Sequence, residues 1–118
     1  MRLTIALARS LPAAIAVAWL GACSRPDTTE PKNVASGREV YMANCASCHN
    51  SNPNVPGSSG PAIAGSPRVL IEARVLHQSY PPGYKPQRNS HLMRKLPWLG
   101  PKIDDLTAFL AFTKQNGK

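Results

Sequence analysis

The sequence is short of cysteine, methionine, aromatic side chains and negative charge. Three cysteines must serve every thiol-based role in 118 residues, and three methionines bound any thioether chemistry. Only 6 acidic residues stand against 14 Lys and Arg, so the chain is formally +8. No stretch alternates apolar and polar residues over a strand length, so no sheet is expected. No internal repeat is visible, and the length suits one domain. The uncharged apolar run Leu11–Leu20 is too short to span a bilayer, and it has the length of a signal-peptide core.

That run follows a basic start at Arg2 and Arg9 and ends in Leu20-Gly21-Ala22-Cys23. The ending resembles the lipobox of bacterial lipoproteins. The resemblance implies a signal peptide over residues 1–22, cleavage before Cys23, and acyl chains on Cys23 that hold the protein at a membrane surface. An ordinary secretory signal cut near Ala22 would instead leave a soluble periplasmic protein. Residues 23–34 carry two prolines and mixed charge and read as a tether, with the folded domain at 35–118. From Cys23 the chain has 96 residues, with 12 basic and 6 acidic side chains. The excess is spread over Arg68, Arg74, Lys85, Arg88, Arg94, Lys95 and Lys102. It suggests steering towards an acidic protein surface.

Two of the three cysteines lie in Cys45-Ala46-Ser47-Cys48-His49. A C-x-x-C pair followed at once by histidine reads as a c-type haem attachment site. The two thiols form thioether links to the haem vinyl groups, and the adjacent histidine is held against the iron as proximal ligand. With Cys23 lipidated, no cysteine remains for a disulfide or a catalytic thiol. One motif means one haem. Two other readings share the motif. A zinc site needs a fourth ligand, from His77 or His91. A thioredoxin-like dithiol needs a strand before the motif. Nucleic acid is not expected as a partner of an exported haem protein.

Around the motif the pattern is helical. Ser36 and Glu39 form a capping box for a helix through Asn44 into the motif. Gly37 inside that helix makes sense if another helix approaches closely. Asn50–Gly65 is a loop rich in Pro, Gly and Ser. Ser66 and Pro67 open a second helix at its cap and first position, with Val69, Leu70, Ala73 and Leu76 as the apolar stripe and an end near Ser79. Tyr84–Leu99 is irregular. Pro101 opens the last helix, with Asp104 and Asp105 in its first turn and Ile103, Leu106, Phe109, Leu110 and Thr113 at helical spacing.

With these residues in place the chain resembles the class I cytochromes c of the small bacterial type, over about Val34 to Gln115. Gly37 and Tyr41 stand before the haem motif as in that family. Gly60-Pro61-Ala62-Ile63-Ala64-Gly65 matches its G-P-x-(L/I)-x-G segment. Ile103, Leu106, Phe109 and Leu110 match its last helix. The resemblance implies an all-α cytochrome c fold of three main helices around one covalent haem c. It implies that the Pro61 carbonyl supports His49, that Phe109 lies near Gly37 and Tyr41, and that Met93 is the second iron ligand. The Met-Pro pair common in the family is replaced here by Met93-Arg94. Met1 leaves with the signal, and Met42, three residues before Cys45 on the same helix, is expected to pack in the core. His91 is the alternative distal ligand, and His77 is expected at the surface or facing a haem propionate. Arg68, Arg74, Tyr80, Tyr84, Arg88, Asn89 and Trp98 are candidates to reach a haem propionate, with Trp98 also a packing residue on the distal side.

The function implied is one-electron transfer by a monomeric carrier, not an enzyme, between respiratory partners with acidic docking surfaces. The alternative is a five-coordinate c-type haem protein with sensory or peroxidase-like activity.

Overall fold

The structure is a computed structural model and describes residues 30–117. The expected signal peptide, Cys23 and most of the expected tether lie outside the described residues. The chain is mostly α-helical. It forms α1 (Lys32–Asn44), the single turn α2 (Ala46–His49), α3 (Arg68–His77) and α4 (Ile103–Asn116), with a 3-10 turn over Pro97–Lys102 leading into α4. No strand occurs among the described residues.

Helix α1 begins four residues before the expected cap. Pro31, with φ −58° and ψ 146°, fixes the entry, and its carbonyl accepts the Ala35 N–H at 3.0 Å. Ser36 therefore lies inside the helix and caps nothing. Its hydroxyl donates instead to Asp105 Oδ2 at 2.7 Å, and Lys102 Nζ donates to it at 3.0 Å. A charged acceptor on the facing helix outcompetes a local backbone bond. The expected domain boundary at 34/35 also falls inside this helix, because Val34 is buried in the core.

Helices α1 and α4 cross at Gly37. A Cβ there would lie 2.8 Å from the Phe109 Cβ and closer still to the Asp105 carbonyl oxygen. The absent side chain lets Tyr41 and Phe109 meet, ring centroids 5.3 Å apart. Tyr41, Ile103, Leu106, Phe109 and Leu110 are almost wholly buried. Each such side chain contributes about 1.5–3 kcal/mol by leaving water. The period read along α4 and its contact with Gly37 and Tyr41 are both as expected.

Helix α3 differs from expectation in its face and its end. Ile71 and Val75 are its buried residues, whereas Val69 is 59% exposed. The helix packs beside the cavity described below, so its inward face is offset from the expected stripe. It stops at His77 because Gln78 takes a left-handed conformation, φ 55°. Pro97–Lys102 is a 3-10 turn in the region expected to be irregular. It buries Leu99 and places Pro101 before α4 rather than in it. At the start of α4, Asp104 accepts from Arg68 Nε at 2.6 Å, and Arg68 also pairs with Glu72. Asp105 is held below the usual carboxylate range by its hydrogen bonds from Ser36 and Lys102. These pairs are exposed and contribute little to stability.

Candidate functional site

The C-x-x-C-H motif occupies one helical turn. Cys45 continues from α1, its N–H donating to Tyr41 O at 2.8 Å, and His49 N–H donates to Cys45 O at 2.9 Å. Residues spaced i, i+3 and i+4 share a helix face, so Cys45, Cys48 and His49 are brought together by local geometry alone. Cys45 and His49 are buried, and Cys48 is exposed. Asn50, at φ 75°, ends the turn. The buried Tyr41 hydroxyl ties this exit down by donating to Asn50 O at 2.6 Å. Burial, and secondarily Cys45, pushes the Tyr41 phenol up to about 12.

The loop that follows folds back over the motif. Gly60 N–H donates to Cys48 O at 2.9 Å, and Gly57 N–H donates to Gly60 O at 2.9 Å. Gly60 then lies flat on the imidazole, where a Cβ would stand 2.5 Å from His49 Cε1. The next residue brings the Pro61 carbonyl to 2.8 Å from His49 Nδ1. With Nδ1 as donor, the proton sits on that nitrogen and Nε2 keeps its lone pair for a metal. This is the contact that the family resemblance implies for Pro61.

The motif borders a cavity of about 490 Å³. That size falls within the ~300–1,000 Å³ of small-molecule and cofactor sites. Leu70, Ile71 and Val75 of α3, Leu106 and Leu110 of α4, and Ile63 supply apolar walls. The segment between α3 and the 3-10 turn closes another side with Tyr80, Tyr84, Arg88, Met93 and Leu96. Met93 thus borders the same cavity as His49 and is half-buried. His91 and His77 are exposed, and neither lines it.

Of the polar candidates, Arg74, Tyr80, Tyr84, Arg88 and Trp98 line the cavity, whereas Arg68 and Asn89 do not. Arg68 is instead committed to Asp104 and Glu72. Arg74 stacks its guanidinium on the Tyr80 ring at 4.3 Å, and Tyr80 stacks on Tyr84 at 5.4 Å. Trp98 is 66% exposed, so it edges the cavity and is not packed within it. Met42 is half exposed on α1 and takes no part in the core, contrary to expectation.

Ile71 and Gln78 escaped the sequence reading. An Ile71–Val75 pair at i, i+4 was the available signal for the first. The second had none, because its role depends on a left-handed turn.

The other chemistries of C-x-x-C-H find less in this geometry. Among the described residues, no group of three or more His, Cys, Asp or Glu side chains is placed to hold a metal ion. A zinc site needs such a group, whereas haem iron takes four of its ligands from the macrocycle. The dithiol reading requires a strand before the motif, and α1 occupies that position. Burial, and then Cys48, pushes the Cys45 thiol up to about 11. Reactive dithiols show the opposite shift. In comparisons with known proteins, no protein-family model, no curated protein and no solved structure matches the chain.

Proposed function

We propose that this chain is a mono-haem c-type cytochrome of the class I fold that carries single electrons between redox proteins outside the cytoplasm. The observation that carries the reading is the 2.8 Å contact of His49 Nδ1 with the Pro61 carbonyl, on a turn that also bears Cys45 and Cys48. It presents a histidine nitrogen beside two thiols at a cavity of cofactor size.

The residues present fit the group. Cys45 and Cys48 would hold haem c by thioether bonds, and His49 and Met93 would be the iron ligands. When bound, haem supplies a one-electron Fe(III)/Fe(II) couple. The chain does the rest. Pro61 keeps the His49 proton on Nδ1 and orients the ring. Gly60 leaves room for that ring. Leu70, Ile71, Val75, Leu106 and Leu110 exclude water from the cavity. Two protein ligands leave no position for a substrate, which favours a carrier over an enzyme.

Charge distribution supports a docking role. Residues 73–103 contain six Lys and Arg and no Asp or Glu. Four of the six, Arg74, Arg88, Arg94 and Lys95, border the cavity. Transient contact with an acidic redox partner is the reading that uses them. The lipobox resemblance adds an anchor at Cys23, outside the described residues. Cys23→Ala is expected to move the protein from the membrane fraction to the soluble one; continued sedimentation with membranes overturns the anchor.

A haem stain on a denaturing gel, followed by carbon monoxide addition to the reduced protein, tests the function. Stain that survives denaturation, with little carbon monoxide binding, is expected. An unstained band returns the motif to zinc or dithiol chemistry. Rapid carbon monoxide binding supports the five-coordinate sensory or peroxidase reading instead.

A further inference from the structure

Residues 81–96 form a long segment without regular structure, with four prolines or glycines among its first six residues. Apart from the Leu99 N–H bond to Leu96 O that opens the 3-10 turn, three hydrogen bonds among the described residues fasten it to the rest of the protein. Arg88 Nη2 donates to Gly57 O at 3.3 Å, Leu96 N–H donates to Val75 O at 2.6 Å, and Gln78 Nε2 donates to Met93 O at 2.9 Å. The last of these acts on the backbone of Met93 itself.

The backbone of Gln78 makes this bond notable. Gln78 is one of two non-glycine residues with positive φ among the described residues. A helix C-terminus in this conformation ordinarily favours glycine, which enters the left-handed region without strain. The cap uses only the backbone of Gln78, whose N–H reaches Arg74 O, while the Ser79 N–H and hydroxyl reach Ala73 O. Glycine would keep these bonds with less strain. A residue kept in a strained conformation, when the local structure does not need its side chain, directs attention to what that side chain does. Here the left-handed turn aims the amide at the Met93 carbonyl.

We infer that Gln78 is a positioning residue that holds Met93 at the cavity. The inference rests on the reading of Met93 as an iron ligand and deepens it. A thioether is a weak ligand on a segment with no regular structure, so its occupancy depends on what restrains the backbone behind it. Gln78 supplies that restraint from the end of α3, while the Leu96–Val75 bond fixes the segment three residues further on. With the amide removed, the Met93 backbone is freed on one side and an external ligand competes better for the iron.

The test compares wild-type holoprotein with Gln78→Gly and Gln78→Glu. Glycine keeps the cap and relieves its strain while deleting the amide. Glutamate keeps the shape but at neutral pH offers no donor. The oxidised proteins are titrated with imidazole while the far-red absorbance of methionine-ligated iron is followed. Thermal unfolding is recorded in parallel. The expected result is that both variants bind imidazole at least tenfold more tightly than wild type. Gln78→Gly should also unfold at or above the wild-type temperature, which separates loss of positioning from loss of the fold. Unchanged imidazole affinity in both variants, beside a wild-type far-red band, overturns the inference and leaves Met93 as ligand. A wild-type protein without the band overturns the Met93 reading, and the inference with it.

Discussion

Gly37 and Phe109 meet so closely that a methyl group on the glycine would lie 2.8 Å from the Phe109 Cβ. The Asp105 carbonyl oxygen is nearer still. This contact sets the distance between α1 and α4, and so the position of the motif turn that α1 leads into.

Gly37→Ala is therefore expected to destabilise the protein. At an ordinary helix position the same change is favourable by up to about 1 kcal/mol. Here the new methyl meets backbone that cannot step aside, and overpacking costs about 1–3 kcal/mol or more. Urea unfolding gives the sign directly: a variant more stable than wild type would mean that the helices do not cross here as described.

Gly60→Ala is expected to disturb His49 without emptying the core. The added Cβ presses on the imidazole and pushes its Nδ1 away from Pro61 O. With haem bound as proposed, the ring would then be a weaker donor to oxidised iron, because the carbonyl would no longer draw on the Nδ1 proton. Redox titration should show a higher reduction potential. An unchanged potential and spectrum would separate Gly60 and Pro61 from the control of His49.

Tyr41→Phe keeps the ring contact with Phe109 and deletes the bond to Asn50 O. The expected loss is about 0.5–1.5 kcal/mol, that of one net hydrogen bond. The pH dependence follows from the phenol, which titrates near 10 when unfolded and near 12 in the fold. Between those values the folded state binds more protons than the unfolded one, so stability falls as pH rises from 10 to 12. Denaturation curves at pH 9 and pH 11.5 should show a smaller decline for the variant. Parallel declines would mean that Tyr41 does not govern the alkaline limb.

Met93→Ala is expected to abolish the far-red band of the oxidised protein, and His91→Ala to leave it. Met93 lines the cavity, whereas His91 is exposed and does not. The reverse pattern of spectra would assign the distal position to His91.

The sequence by itself settled whatever depends on local spacing. Cys45, Cys48 and His49 fall on one face of one turn because i, i+3 and i+4 neighbours always do. The helical period of Ile103, Leu106, Phe109 and Leu110 marked the buried face of α4, and Gly37 announced a close approach. Tertiary structure decided what depends on partners distant in the chain. Ser36 reads as a cap, but Asp105, 69 residues away, takes its hydroxyl. Arg68 reads as a candidate to reach a haem propionate, but α4 brings Asp104 beside it. The inward face of α3 depends on where the cavity lies: its ten residues offer both the Ile71–Val75 pair and the Val69, Leu70, Ala73, Leu76 stripe, and periodicity alone does not choose between them. The same reason applies to which side chains of Pro81–Leu96 border the cavity. Composition alone does not say that Met93 lines it and His91 does not. The bonds from Gln78 to Met93 O and from Leu96 to Val75 O fasten this segment, and the first needs the left-handed turn that ends α3.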